Sequence, residues 1–545
     1  MPSDTLPALP LGVNNRSARV PRSRDALPLL LALATLAVYA NSLLGGFVWD
    51  DVPIVVESQF GESPPRLREV LLSPDEVKPY YRPLNRASYL LDARVWGANP
   101  LGFHAVNVAL HVANVLVLFF LVRLLFRRSA LAMGAALLLA VHPINAETVN
   151  FISARNNLFA LLFLQGAIAL LALGLERRSR LAIWGSGLAW FLALSSKESA
   201  AAGILLLVGY AAWPVLPGPS SLRARLLALV PHALFLAAYL GLRNAALDGL
   251  MGTPVALGAL GETLRLNFFI LPRYLELVLV PARLNVFHAV PPGGVADAPW
   301  LLLGWVAMAT VVVALVRQRS LPSLLGLAWF AVNYLPIANL VPIPSAAMAE
   351  RFLYLPAVGL WVVAADQAVR LLDRAGRKRV ATLALALPLV ALAAGSVRRN
   401  GDWRNDVTLF WSSVEVEPGS VIALFNLGSA LRDQGDLEGA RTAWERALAV
   451  DPRDAGPLTQ LGTLAAVSGD FPRAERLYRA ALDSDPRNAL IHLNLAKLFE
   501  KTGRPGEAAT AYGRFLELAT RDHQEHVPAA RASRERLLRA GGAGP

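Results

Sequence analysis

The chain has 545 residues, of which 55% are hydrophobic and only 17% charged, and it contains no cysteine. That balance excludes a soluble globular protein, a disulfide-stapled fold and thiolate chemistry, and it reads as an integral membrane protein. The formal charge of +12 goes with loop arginines of a membrane protein rather than with nucleic acid, because no nucleic-acid module is present.

In chain order, a basic tail over residues 1–26 carries Arg16, Arg19, Arg22 and Arg24 and leads into an apolar run at 27–46. About 20 apolar residues cross a bilayer, and this run is too long for a cleaved signal peptide. Further apolar runs lie at 103–126, 130–146, 155–175, 180–195, 199–217, 226–243, 300–317, 321–340, 352–371 and 380–397. Eleven crossings put Arg123, Arg127, Arg128, Arg177, Arg178, Arg180, Arg223, Arg225, Arg317, Arg319, Arg374, Arg377, Lys378 and Arg379 on the same side as the N-terminal tail, which makes that side the cytoplasm. Residues 262–282 are apolar but hold Arg265, Arg273 and Glu276, and are expected to form an amphipathic or re-entrant helix on the outer face.

The outer face then receives 47–102 as a long first loop, 143–154, 195–198, 244–299, 341–351 and everything after 398. The expected fold is all-α: a polytopic helix bundle over 27–398, a linker over 399–419, and a second domain of helical repeats. In that domain Gly428 recurs as Gly462 and Ala496, Gly435 as Gly469 and Gly503, Ala440 as Ala474 and Ala508, Trp444 as Tyr478 and Tyr512, and Pro452 as Pro486. A step of about 34 residues with small residues at helix crossings is the tetratricopeptide pattern. Three units fill 420–520, and 521–545 supplies a capping helix and tail. Such units stack on their neighbours and bind peptides or partner proteins, or simply pack on the membrane part.

Polar groups concentrate on the outer face. Asp50 and Asp51 stand together at the mouth of the first span, followed by Glu57. A carboxylate there can act as general base toward a hydroxyl or as a ligand to a divalent metal ion. Adjacent side chains cannot point the same way on a helix or strand, so one acid does the chemistry while the other orients it or pairs with a cation. Arg82, Arg155 and Arg351 are the candidates to grip a phosphate, which guanidinium does bidentately. Tyr81, His104, Asn107, His142, Glu147, Lys197, Glu198, Glu350 and Tyr354 complete the candidate substrate-facing set. His104, Asn107 and His111 share one helix face, where interhelical hydrogen bonding is the competing role. Lys197–Glu198 also reads as a snorkelling charge with its neighbour. The chain has no two-histidine HExxH spacing, no glycine-rich phosphate loop and no Gly-x-Ser-x-Gly elbow, so protease, nucleotidase and hydrolase chemistries lack their parts.

The ordered set Gly46-Phe47-Val48-Trp49-Asp50-Asp51, Tyr81-Arg82-Pro83-Leu84, Gly102-Phe103-His104-Ala105-Val106-Asn107 with His111, His142-Pro143 with Glu147 and Arg155, Lys197-Glu198, and Ala349-Glu350-Arg351-Phe352-Leu353-Tyr354-Leu355-Pro356, together with the repeats, resembles the transmembrane and tetratricopeptide-repeat-containing protein O-mannosyltransferases. The resemblance implies a GT-C membrane fold and a polyprenyl- or dolichyl-monophosphate sugar donor. It also implies transfer of a mannose-like sugar to a Ser or Thr hydroxyl on the outer or lumenal face, with inversion. It gives the catalytic role to the paired acids, here Asp50 and Asp51, with Asp50 favoured as base. The membrane is then the inner membrane of a bacterium or the endoplasmic reticulum of a eukaryote, and the repeats meet an acceptor protein or glycan. A multispan scaffold that recruits envelope partners through its repeats is the competing reading, and it leaves the polar outer face unexplained. A transporter fits less well, because its charges would sit near the midplane rather than at helix mouths.

Overall fold

The computed structural model describes residues 26–61, 65–73, 80–213, 218–219, 221–247, 260–289, 300–341, 346–520 and 523–541. Each of the eleven apolar runs carries a helix, and no strand occurs among the described residues. Among those residues, five helices are long and apolar enough to cross a membrane: Leu27–Leu44, Pro100–Phe126, Ile152–Arg177, Leu222–Leu247 and Arg379–Asp402. A sixth would be the pair Ser129–Val141 and Pro143–Asn150, bent by 55°. Glu198–Ala212, Leu301–Arg317 and Leu321–Ile337 are apolar but shorter. Several helices are thus long and apolar enough for a multi-pass membrane protein.

Local signals set the boundaries. The Pro100–Phe126 helix starts where the Asn99 side chain accepts from the Leu101 N–H at 3.1 Å, with Pro100 in the first turn. It ends at Arg127 in the left-handed region. This helix packs on Leu27–Tyr39, Ser129–Val141 and Arg155–Arg177, around a core that includes Phe119, Leu139, Leu161 and Leu164. Helices in lipid associate through close packing and small residues. The contact between Leu321–Tyr334 and Ala357–Arg374 shows this: a Cβ on Gly359 would lie 2.2 Å from the Gly326 carbonyl oxygen. Any side chain there forces the helices apart.

Two segments expected as loops carry short helices among the described residues. The 47–102 segment contains the π-type turn Val52–Glu57, the short helix Leu67–Leu72 and the helix Pro83–Trp96. A π-type turn directly after the acid pair matches the tendency of such turns to lie at functional sites. Residues 142–158 are buried throughout and fold as Pro143–Asn145, Ala146–Asn150 and Ile152–Ala154 before entering the Arg155–Arg177 helix.

The last apolar helix runs on to Asp402, past the boundary that hydropathy draws at 398. Helix Asp406–Val416 then leads into three helical pairs: Val421–Asp433 with Leu437–Val450, Ala455–Val467 with Phe471–Ser484, and Ala489–Lys501 with Pro505–Leu518. Gly435, Gly469 and Gly503 have φ of 87°, 83° and 71°, so the turn inside each pair needs a left-handed residue at the same repeat position. Asp406–Val416 packs on the first pair and Val527–Gly541 on the last.

Candidate functional site

The acid motif is held from two sides. The Gly46 N–H donates to the Arg404 carbonyl at 2.9 Å, and the Trp49 N–H donates to Asp406 Oδ1 at 2.8 Å. Trp49 has φ of 49°, an uncommon conformation for a bulky residue. Its ring stacks on Phe151 (5.5 Å between centroids, 9° between planes) and meets Phe287 edge-on at 5.2 Å.

The reversed backbone at Trp49 sends the two acids to different environments. Asp51 is 0% exposed. Its Oδ1 accepts from the Ser153 N–H at 2.7 Å, and its Oδ2 accepts from the Ile152 and Val48 N–H groups at 3.3 Å each. Burial pushes its carboxyl up to about 7, against the pull of these donors. Asp51 therefore fastens the first outer segment to the 151–154 turn. Asp50 stays half-buried. Among the described residues no group of three or more His, Asp or Glu is placed to hold a metal ion.

The arginines divide in the same way. Arg155 is 0% exposed, and its guanidinium meets Asp92 Oδ2 at 2.5 Å, Asn107 Oδ1 at 2.7 Å, Ser88 Oγ at 3.1 Å and the Phe103 carbonyl at 3.0 Å. With its donors so engaged, Arg155 ties three segments together and is closed to a phosphate. Arg82 grips Glu198 side-on, Nε to Oε2 at 2.9 Å and Nη2 to Oε1 at 2.7 Å. Arg351 bonds Glu147 through both its backbone N–H (2.9 Å) and its guanidinium. The Arg351 guanidinium also lies 5.8 Å from the Trp49 ring and 5.2 Å from the Phe352 ring.

Lys197 approaches the same Phe352 ring at 5.3 Å and donates to Asn157 Oδ1 at 2.6 Å. Burial, with Arg82 adding repulsion, lowers its ammonium to about 7. Trp49, Arg351, Phe352, Lys197, Glu198 and Arg82 thus form one continuous rim, in which two arginines and Lys197 meet the carboxylates of Glu147 and Glu198.

The other predicted residues lie away from this rim. His104 Nε2 lies 3.1 Å from the Gly46 carbonyl, supporting the acid loop from behind. Asn107 donates to the Val149 and Phe151 carbonyls at 3.1 and 3.4 Å. His111 Nδ1 and the Tyr354 hydroxyl are 2.7 Å apart, and both residues are buried. Tyr81 is 1% exposed and donates to the Leu71 carbonyl at 2.9 Å. His142 lies with Nε2 2.9 Å from the Val278 carbonyl and its ring against Trp361.

His142 and Trp361 also line a cavity of about 1570 Å³ whose walls are mostly apolar, including Leu301, Val311, Phe330 and Leu392. Asn285 and His288 stand at its polar part and turn to Glu350, whose Oε1 accepts from the Asn285 N–H and lies 3.2 Å from His288 Nε2. Glu350 Oε2 faces Arg399 Nη2 at 3.7 Å. Phe287, between Asn285 and His288, is the residue that touches Trp49. Sequence reasoning missed Asp92, Asn157, His288, Arg399 and Asp406. They sit in segments read as loop, helix interior or linker, and only the fold brings them to their partners.

Two segments, 421–454 and 459–523, match family models described as tetratricopeptide repeat. Protein O-mannosyl-transferase F38B6.6 of Caenorhabditis elegans is 26% identical over 429 residues, covering 74% of this chain and 60% of that protein. Protein O-mannosyl-transferase TMTC1 of Homo sapiens is 28% identical over 471 residues, covering 74% and 53%. TMTC1 of Mus musculus is 38% identical over 146 residues, covering 25% and 16%. The chain spans about half to three fifths of the length of the first two. Among solved structures, ArnT from Cupriavidus metallidurans bound to undecaprenyl phosphate aligns with a TM-score of 0.40 and 14% identity, over 92% of this chain and 82% of that one.

Proposed function

From a chain related to the TMTC-type protein O-mannosyltransferases, we propose an integral-membrane glycosyltransferase. It moves a mannose-like sugar from a polyprenyl- or dolichyl-monophosphate to a hydroxyl acceptor, a protein Ser or Thr, on the non-cytoplasmic face. The observation that carries this reading is the division within the acid pair: Asp51 is buried on three backbone donors, and Asp50 is half-buried.

The chemistry follows from that arrangement. The acceptor oxygen forms a bond to the anomeric carbon as the bond from that carbon to the lipid phosphate breaks. The hydroxyl proton passes to Asp50, and the lipid monophosphate leaves with the electron pair. A single displacement of this kind inverts the anomeric centre. The leaving group is a dianionic phosphate that needs cationic stabilisation more than a proton, and Arg351, Lys197 and Arg82 are the side chains assigned to supply it. The lipid chain takes the apolar cavity. The repeats lie on the same side as the acid loop, which the Trp49–Asp406 contact supports, and they present the acceptor.

The test replaces Asp50 and Asp51 singly by Asn and measures sugar transfer in membranes. Loss of the base lowers the Asp50→Asn rate by about 10² or more with the protein still folded. Undiminished transfer by Asp50→Asn overturns the mechanism.

A further inference from the structure

We infer that Asp406, at the start of the helix that leads into the repeats, is a positioning residue for Asp50. The inference rests on the reading of Asp50 as the general base.

Trp49 precedes Asp50 and holds φ at 49°. For a bulky residue this conformation is strained and persists only where its surroundings impose it. Relaxation to an ordinary φ would swing Asp50 away, because the residue after a reversed backbone takes its direction from that reversal. What imposes it lies far along the chain. The Trp49 N–H is bound to Asp406 Oδ1 at 2.8 Å, and three residues earlier the Gly46 N–H is bound to the Arg404 carbonyl at 2.9 Å. The same helix supplies Phe410, whose ring stacks on Phe287 at 6.1 Å, and Phe287 in turn meets the Trp49 ring.

An acid in the first turn of a helix ordinarily serves that helix, by capping it or by meeting its dipole. Here the capping is done by Asn405, whose Oδ1 accepts from the Thr408 N–H at 3.0 Å. The Asp406 carboxylate is thereby released to reach across to Trp49. The helix itself is fixed on the repeat side: Leu409 and Phe410 share a buried cluster with Ala423, Leu424 and Leu427 of the first repeat. The backbone that carries the proposed base is therefore clamped by the repeat domain as well as by Asp51. Asp51 sets the segment's anchor, and Asp406 sets the direction of the residue between them.

The test compares Asp406→Ala with Asp406→Asn in the full chain, reconstituted in lipid. Asn keeps a carbonyl oxygen for the Trp49 N–H. Asp406→Ala lowers kcat by about 10- to 100-fold, the scale expected of a misplaced catalytic group, with the donor KM unchanged. Asp406→Asn restores most of it. Deuterium uptake by a peptide covering 46–51 rises in the Ala variant alone, while uptake across 421–518 stays as in the wild type. Wild-type kcat and uptake in Asp406→Ala overturn the inference. So does an equal loss in both variants, because then the charge or the fold, and not the hydrogen bond, is at work. Full activity of Asp50→Asn would instead remove the premise, a result the exchange measurement keeps separate.

Discussion

Arg82 and Glu198 meet side-on through two parallel N–H···O contacts at 2.9 and 2.7 Å, joining the start of the Pro83–Trp96 helix to the turn that holds Lys197. Both side chains keep partial exposure, 18% and 36%, so solvent screens the pair and its coupling is about 1 kcal/mol or less in a double-mutant cycle. Burial raises the Glu198 carboxyl, but Arg82 outweighs it and holds the group at about 2. A carboxylate depressed in the folded state contributes stability above its unfolded pKa of about 4.3 and loses it as pH falls. The wild type should therefore lose melting temperature relative to Glu198→Gln as pH drops from about 4 toward 2, with no difference in slope above 5. A parallel pair of profiles would show that the contact does not persist in solution.

Arg155 should behave as a structural residue and Arg351 as a functional one. Removing the Arg155 guanidinium leaves Asp92 buried and uncompensated at 4% exposure, which costs about 3–5 kcal/mol. Arg155→Met should thus lower melting temperature and yield of folded protein, and the double change Arg155→Met with Asp92→Leu should recover much of that loss. Arg351→Lys keeps a cation beside the buried Glu147, so it should leave melting temperature closer to wild type while reducing transfer through loss of the bidentate guanidinium. Thermal unfolding in detergent beside a transfer assay separates the two, and the reverse assignment would move the phosphate-facing role to Arg155.

The contrast between those arginines marks where sequence reading stops. The apolar runs and the 34-residue repeat are local periodicities, so helix positions and the repeat domain are legible without coordinates. The acid pair is legible as a divided pair because adjacent side chains diverge. Which member is buried is decided by the 151–154 turn, whose N–H groups point at Asp51, and nothing in residues 46–51 announces that. Arg155 and Arg351 each pair with a buried acid, Asp92 and Glu147, and differ in exposure, 0% against 12%; Asp92 is in sequence an unremarkable acid on an amphipathic stretch. Asp406 is likewise hidden, since a helix-start acid has a sufficient local reason to be there.

Asp51 gives a pH signature of opposite sign to that of Glu198. Burial pushes its carboxyl up to about 7, above the unfolded value of about 3.9. The native state therefore binds the proton more tightly, so the contribution is complete below about pH 4 and is lost as pH rises through about 7. Asp51→Asn removes the titration and cannot accept the three N–H bonds with both oxygens, so it lowers stability overall. The melting-temperature gap between wild type and Asp51→Asn should shrink from pH 4 to pH 7. A gap that widens over that window would mean that the hydrogen bonds outweigh burial and that the carboxylate is ionised throughout.

The cavity offers a test that leaves the acids and arginines untouched. Its wall includes Gly304, Ala307 and Val311 on one helix, across from Phe330 and Leu392. A lipid tail gains about 0.8 kcal/mol for each buried methylene, so filling part of the about 1570 Å³ space removes binding without touching the reacting atoms. Ala307→Trp should raise the KM for a long-chain polyprenyl-phosphate sugar by about 10-fold or more, the effect of losing a few methylenes, while kcat at saturation stays near wild type. A donor with a chain too short to reach that wall should show no change. If both donors lose kcat equally, the space serves the packing of the Leu301–Arg317 helix. If only the long-chain KM moves, the cavity holds the lipid.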